Sequence, residues 1–186
     1  GDLGVGGVTP SRELLRACLG LGVPCVAMAR PRGGDFAYDD LELQQVFADA
    51  SEMLSAGAHG VVFGCLHATN LVDRDAVAGI VRLAENAETV FHRAFDETPD
   101  AFAALDMLTS CGVRRVLTSG HAPAATEGAA NITALVARAA GRIAVLPGGT
   151  VRGDNVRALV ARTGVTQVHA RGTVAGVIAA IRSALR

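Results

Sequence analysis

Short apolar segments recur along the chain, separated by longer stretches that mix apolar and polar residues. Each apolar segment is a few residues long and is bounded by glycine, proline or polar turn residues. Continuous apolar runs of this length are typical of parallel strands that are covered on both faces. The pattern predicts six strands, at 23–29, 59–66, 88–95, 113–120, 142–149 and 165–172.

The stretches between these strands have the spacing of amphipathic helices. In 40–56, apolar residues recur every three or four positions, which predicts one apolar helix face. The pairs Thr9–Pro10 and Thr98–Pro99 are typical of an N-cap followed by the first helical residue. Asp73 and Asp154 stand where two other helices are expected to begin. The chain therefore reads as one helix followed by six strand–helix units.

Alternating strands and helices indicate an α/β fold with a parallel sheet. Polar residues that could take part in binding or catalysis follow almost every strand. This distribution favours a TIM (β/α)8-type barrel over an open doubly wound sheet. A complete barrel has eight strands, whereas the pattern provides about six βα units. We therefore expect residues 1–186 to form a single barrel domain that is incomplete at the N-terminus and lacks two strands and one helix.

Composition narrows the classes of partner. The formal net charge is −1, and the chain has no tryptophan and one tyrosine, which argues against a nucleic-acid surface. No apolar run is as long as a membrane helix, and the first ten residues do not resemble a signal peptide, so we expect a cytoplasmic protein. The four cysteines lie in apolar surroundings without a CxxC pair, which favours free thiols.

A set of basic residues and glycines follows the predicted strands. Arginine presents a planar fork that suits phosphate or carboxylate, and glycines let backbone N–H groups approach an anion. The loops "LPGGTVRGDNV" and "VHARGTV" follow the last two strands, where barrels commonly bind phosphate. We therefore predict a site for a small anionic ligand, although the glycines could serve only as tight turns. Its predicted residues are Arg30, Arg32, Arg93, Gly148, Gly149, Arg152, Arg171 and Gly172.

Three further residues are candidates for acid–base chemistry. His92, in "FHRAFDE", could act as a general acid or base with Asp96 orienting it. The alternative is that Arg93 and Asp96 form a structural ion pair that braces the mouth of the barrel. Asp35 could be a base, or a partner of Arg30 or Arg32.

Cys65 and His67 are the candidate metal ligands. Thiolate and imidazole can bind soft or borderline metals. The spacing of these two residues matches no specific metal motif, so they give a weak prediction.

Several motifs together resemble the CutC family, long labelled copper homeostasis proteins. They are "GGVTPS" (6–11), "RPRGGDF" (30–36), "FHRAFD" (91–96), "VLTSG" (116–120) and "GGTVRGDNV" (148–156). The resemblance implies a TIM barrel, a cytoplasmic location, often a homo-oligomer, and copper as a candidate cofactor. In the family, "GGVTPS" follows the second strand, so the first strand, first helix and second strand have no counterpart here. The cysteines proposed to bind copper belong to that region.

Three functional hypotheses follow. The first is a copper-handling protein without catalysis. The second is a TIM-barrel enzyme of lyase or isomerase type, acting on a small phosphorylated or carboxylated substrate. In it, Arg30, Arg32 and Arg171 would hold the anion, and His92 or Asp35 would move a proton. The third is a degenerate relative without activity.

Overall fold

The computed structural model describes residues 7–172 and 176–185. Within these ranges there are five strands: β1 (Val26–Met28), β2 (Gly60–Phe63), β3 (Glu88–Phe91), β4 (Arg115–Thr118) and β5 (Ala144–Pro147). The helices are α1 (Arg12–Leu19), α2 (Asp40–Ser55), α3 (Arg74–Ala84), α4 (Ala101–Ser110), α5 (Ala129–Ala139), α6 (Val156–Thr163) and α7 (Val177–Ala184). A short 3₁₀ helix (Arg93–Glu97) follows β3. Gly6 and residues 173–174 of the sequence motifs lie outside the described residues.

The sheet has the strand order β1-β2-β3-β4-β5, and every neighbouring pair is parallel. A doubly wound sheet reverses its order at a switch point, and no reversal occurs along these five strands. From α2 to α6, each helix packs against the next along the chain. The prediction of an α/β fold with the winding of a TIM-type barrel is confirmed.

The predicted sixth strand, 165–172, is wrong: this segment forms no strand in the described part of the chain. The backbone N–H of His169 donates to the carbonyl of Pro147 at 2.8 Å, so the segment touches the edge of β5 at one point. Thr166 and Gln167 are exposed. Val165 is buried in the core and Val168 and Ala170 pack against it, so the segment is held by these side chains and by one backbone hydrogen bond without a strand ladder.

Local capping explains where the helices begin. Asp73 caps α3 as predicted, because its side chain accepts from the Ala76 N–H. The predicted caps Thr9 and Thr98 are wrong: Ser11 caps α1 and Asp100 caps α4. Helix α6 begins one residue later than the Asp154 prediction implies, with Asn155 at its N-cap.

Thr9 has a different contact. Its hydroxyl donates to Asp49 Oδ2 at 2.5 Å, and its backbone N–H donates to the Arg30 carbonyl at 2.9 Å. The segment before α1 is therefore held against the end of β1.

Within the described residues, no helix is long and apolar enough to cross a membrane.

Strand register decides which residues reach the candidate site. Side chains alternate across a strand, and the fully buried Phe63, Phe91 and Val116 belong to the face that packs against the helices. The opposite, inner face carries Val62, Val90 and the half-buried Leu117. Continuing that alternation past the carboxyl ends of the strands reaches Arg30, Gly64, His92, Ser119 and Gly148.

Candidate functional site

Arg30 lies buried at the end of β1 and binds the surrounding loops. Its Nη1 donates to the Gly7 carbonyl at 3.1 Å, and its Nη2 donates to the Gly34 carbonyl at 2.8 Å. The guanidinium stacks over the Phe36 ring, 4.8 Å from its centroid. Arg30 therefore ties the glycine-rich loop at 31–38 to the segment before α1.

Arg32 braces the same loop from its outer side. Its Nε and Nη2 donate to the two carboxylate oxygens of Glu42, at 2.5 and 3.1 Å, and its Nη2 also donates to the Ala37 carbonyl. The hydrogen bond that Arg32 donates to Glu42 raises the pKa of Arg32 above its ordinary value, although burial opposes it. The exposed Asp35 is 3.0 Å from Arg32 Nη1. The structure thus places Arg32 and Asp35 in a loop brace.

Sequence reasoning missed Glu42. The signal was present in Asp39 and Glu42, whose spacing is that of a capping box. That box forms at the start of α2, where Asp39 and Glu42 accept from each other's backbone N–H groups.

His92 is buried at the end of β3, with 4% of its surface exposed. Burial, together with the charge of Arg30, lowers the pKa of His92 to about 3, so the ring is neutral near pH 7. Its Nδ1 accepts a hydrogen bond from the Ala94 N–H at 3.1 Å. A neutral imidazole that accepts at Nδ1 carries its proton on Nε2. Nε2 is buried and has no hydrogen-bond partner in the described part of the chain.

Asp96 is the centre of a hydrogen-bond network at the end of β4. Its carboxylate accepts from the Thr118 hydroxyl at 2.5 Å, from the Ser119 N–H and hydroxyl at 3.0 and 3.1 Å, and from the His121 N–H at 3.2 Å. Burial alone would raise the pKa of Asp96, but these donors and Arg93 outweigh it and lower the pKa below its ordinary value. Asp96 is therefore ionised and fully engaged.

Arg93 is oriented by this network. Its Nε donates to Asp96 Oδ2 at 2.8 Å, and its Nη2 donates to the Ser119 hydroxyl at 2.7 Å. Its Nη1 donates no hydrogen bond within the described ranges and lies 3.6 Å from the point where a Cβ on Gly149 would stand. The side chain is 44% exposed. The guanidinium is thus fixed on two sides and open on the third, toward the glycine turn after β5.

The Gly148–Gly149 turn completes this part of the site. Gly149 has φ +102°, a conformation that favours glycine, and Thr150 follows with φ +56°. The Gly149 carbonyl accepts from the Ala125 N–H at 3.1 Å, which fixes the turn against the loop after β4. Within residues 7–172 and 176–185, the backbone N–H groups of Gly149 and Thr150 find no hydrogen-bond acceptor.

The remaining predicted anion ligands after β5 are exposed: Arg152, Arg171 and Gly172. Arg152 contributes a backbone N–H to the side chain of Asn155 at 2.9 Å, and Arg171 lies beside His169. The structure brings Arg93 next to Gly149, and it shows no contact of Arg152, Arg171 or Gly172 with Arg93 among the described residues.

The candidate metal ligands do not form a centre. Cys65 is buried, and burial, with a smaller effect of the Asp73 charge, raises the pKa of its thiol to about 12. His67 is exposed. In the described residues, no three His, Cys, Asp or Glu side chains are grouped so that they could hold a metal ion. A buried, protonated thiol beside an exposed imidazole does not fit copper, which binds thiolates.

Comparison with known proteins decides the family. The CutC family model matches residues 1–174. The chain belongs to the CutC family. The resemblance predicted from the sequence motifs is thereby confirmed.

Similar proteins come from both bacteria and mammals. A CutC family protein of Treponema denticola is 41% identical over 169 residues, 90% of this chain and 69% of that protein. The mouse copper homeostasis protein cutC homolog is 39% identical over 165 residues, 88% of this chain and 61% of that protein. This chain thus spans about two thirds of the length of such relatives.

Solved structures support the fold. The crystal structure of CutC from Streptococcus agalactiae is 33% identical and has a TM-score of 0.86, covering 90% of this chain and 84% of that chain. The aldolase QR15 is 15% identical with a TM-score of 0.59, over 84% of this chain and 81% of that chain, and it shares the barrel fold alone.

Proposed function

We propose that this CutC family protein binds a small anionic ligand, phosphate or carboxylate, between Arg93 and the Gly148–Gly149 turn. The observation that carries the proposal is the orientation of Arg93. Asp96 and Ser119 hold its guanidinium so that Nη1 is directed at the turn without a protein partner among the described residues. A cytoplasmic location and a homo-oligomeric state belong to the same proposal.

The chemistry of the site supports an anion. A fixed guanidinium edge is preorganised for an oxygen ligand, because little side-chain freedom is lost when the ligand binds. The backbone N–H groups of Gly149 and Thr150, which lack acceptors in the described chain, are additional donors in the same turn. In TIM barrels, loops after the last strands commonly bind phosphate.

If the site is catalytic, its reaction cannot depend on a lysine of this chain. The 186 residues contain no lysine, so a Schiff base between an ε-amine and a carbonyl substrate is not available here. A lyase or isomerase step at this site would therefore rely on hydrogen bonds and charge.

Replacing Arg93 by glutamine tests the proposal. We expect the variant to bind inorganic phosphate and acetate roughly tenfold or more weakly, since a charged hydrogen bond contributes about 1.5–3 kcal/mol. The measurement is an NMR titration of each anion. Arg138→Gln is the matched control, because Arg138 also pairs with an aspartate, Asp106, but on the exposed helix surface. Equal anion affinities in wild type and both variants would contradict the proposal.

Copper binding is the second candidate, favoured by the names of the mouse and human relatives. Because Cys65 is buried and protonated and His67 lies exposed, we expect these residues not to form a tight Cu(I) site. Titration of Cu(I) against a competing chelator should give the same curve for wild type and Cys65→Ser. A stoichiometric tight site that disappears in Cys65→Ser would instead establish copper binding at this position.

A further inference from the structure

We infer that His92 forms a second, uncharged subsite, in which its Nε2–H donates a hydrogen bond to a keto oxygen of the ligand. This inference rests on the proposed function, since it names the class of ligand: a small oxo acid, with one anionic group for Arg93 and one acceptor oxygen for His92. It also changes the role of His92 from a proton carrier to a hydrogen-bond donor.

The tautomer follows from the hydrogen bond at the other ring nitrogen. Nδ1 accepts from the Ala94 N–H, two residues along the chain in the 3₁₀ helix. That contact leaves Nδ1 without a proton and places the single proton of the neutral ring on Nε2. A buried N–H without an acceptor is uncommon in folded proteins and calls for an explanation. A ligand oxygen supplies the missing acceptor.

The packing around the ring fixes its orientation. A Cβ on Gly64 would collide with His92 Cε1 and Nδ1, so the ring lies directly on the backbone after β2. On another side is the half-buried Phe36, with ring centroids 4.8 Å apart. The ring therefore cannot turn toward Gly64. Because Nε2 is buried, a ligand oxygen reaches it only when a group packed on the ring, such as Phe36, moves aside.

The groups around the His92 ring carry positive charge or none, which suits a ligand oxygen as hydrogen-bond acceptor. Arg30 is the cation whose charge acts on His92, and its guanidinium also stacks over the Phe36 ring. Tyr38 lies near both Arg30 and Cys65, and burial raises the pKa of Tyr38 and of Cys65 to about 12, so both are protonated and uncharged. In these surroundings a neutral imidazole N–H can polarise a carbonyl without a proton transfer.

The tautomer is tested first, without any ligand. In ¹⁵N-histidine-labelled protein, with the signal assigned by its loss in His92→Gln, we expect the Nε2–H tautomer and no titration between about pH 5 and about pH 8. A Nδ1–H tautomer, or an imidazolium signal that appears within this range, overturns the inference.

The ligand class is tested with pyruvate and propionate, which differ at the keto oxygen. We expect wild type to bind pyruvate roughly fivefold to tenfold more tightly than propionate, as one net hydrogen bond implies. The preference should vanish in His92→Phe and persist in part in His92→Gln, whose amide N–H can still donate. Thermal unfolding checks that each variant is folded. If His92→Phe does not fold, the comparison between wild type and His92→Gln decides the test.

The outcomes separate the two proposals. Equal affinity of wild type for pyruvate and propionate overturns the His92 subsite and leaves the Arg93 anion site standing. Failure of pyruvate, propionate and inorganic phosphate to bind at all overturns the proposed function, and with it the ligand of His92. A keto preference that survives in His92→Phe assigns the acceptor oxygen to another donor and also overturns the inference.

Discussion

Asp96→Asn is expected to lower the free energy of unfolding by about 3 kcal/mol or more, because breaking a buried charge network leaves its partners unpaired. The carboxylate is 6% exposed and accepts from Thr118, Ser119, His121 and Arg93. An asparagine of the same shape keeps one acceptor oxygen and turns an NH₂ group toward these donors. Chemical denaturation of wild type and variant measures the difference.

The pH dependence of stability provides an independent readout of Asp96. The pKa of this carboxyl is lowered in the folded protein, below the value of about 3.9 for an unfolded aspartate. Its contribution is therefore complete above about pH 3.9 and is lost as the pH falls through the folded pKa. We expect wild type to lose more stability than Asp96→Asn on acidification.

Asp35→Asn is the matched control for Asp96. Asp35 also pairs with an arginine, but its side chain is 74% exposed, and exposed pairs contribute about 0–1 kcal/mol. If the two asparagine variants lose similar stability, the network around Asp96 does not have the role described here.

Gly128→Ala is expected to cost about 3 kcal/mol or more, at or above the upper end of the usual overpacking penalty. A Cβ at this position would collide with the Ser119 carbonyl oxygen and stand 2.9 Å from the Cα of Gly120. Both contacts are with backbone, so no side-chain rotation relieves them. The backbone of Gly128, with φ −79°, is itself acceptable for alanine, so the cost arises from the clash alone.

Anion binding should decline together with stability in Gly128→Ala, because the displaced Ser119 holds Arg93. Gly20→Ala is the matched control: its φ is −65° and its added Cβ meets atoms only at 3.5 Å and beyond. Calorimetric melting should show a large shift for Gly128→Ala and little or none for Gly20→Ala. A Gly128→Ala protein as stable as wild type would contradict the tight packing of Gly128 against Ser119 and Gly120.

Apolar periodicity was sufficient for most of the fold. Five of the predicted strands contain the observed ones, because buried parallel strands leave a strong apolar signal, as in 59–66 around β2. The prediction for 165–172 failed because its valines bury against the core as a strand's would, while within the described residues only the His169 N–H bonds to β5. The caps Thr9 and Thr98 failed because a nearby Ser11 and Asp100 cap the helices instead.

The site was less predictable than the fold. Alternation placed His92 on the face opposite Phe91. That its Nε2–H lacks an acceptor depends on the Ala94 hydrogen bond and on the packing against Gly64, which follows a different strand. The network that orients Arg93 likewise depends on loops brought together only by the sheet. Charge alone could not distinguish Arg93 from Arg32. Arg93 keeps one nitrogen, Nη1, without an acceptor among the described residues, whereas the guanidinium of Arg32 is paired with Glu42.

The carboxylate of Glu42 joins two parts of the molecule into one cooperative unit. It accepts from Arg32 in the loop that carries Phe36, and from the Asp39 N–H that begins α2. We expect a movement of this loop that uncovers His92 to strain both contacts, and the first turn of α2 to loosen with it. Amide hydrogen exchange at Glu42 and Leu43, whose N–H groups both bond to Asp39, would then report how often the ring of His92 is accessible.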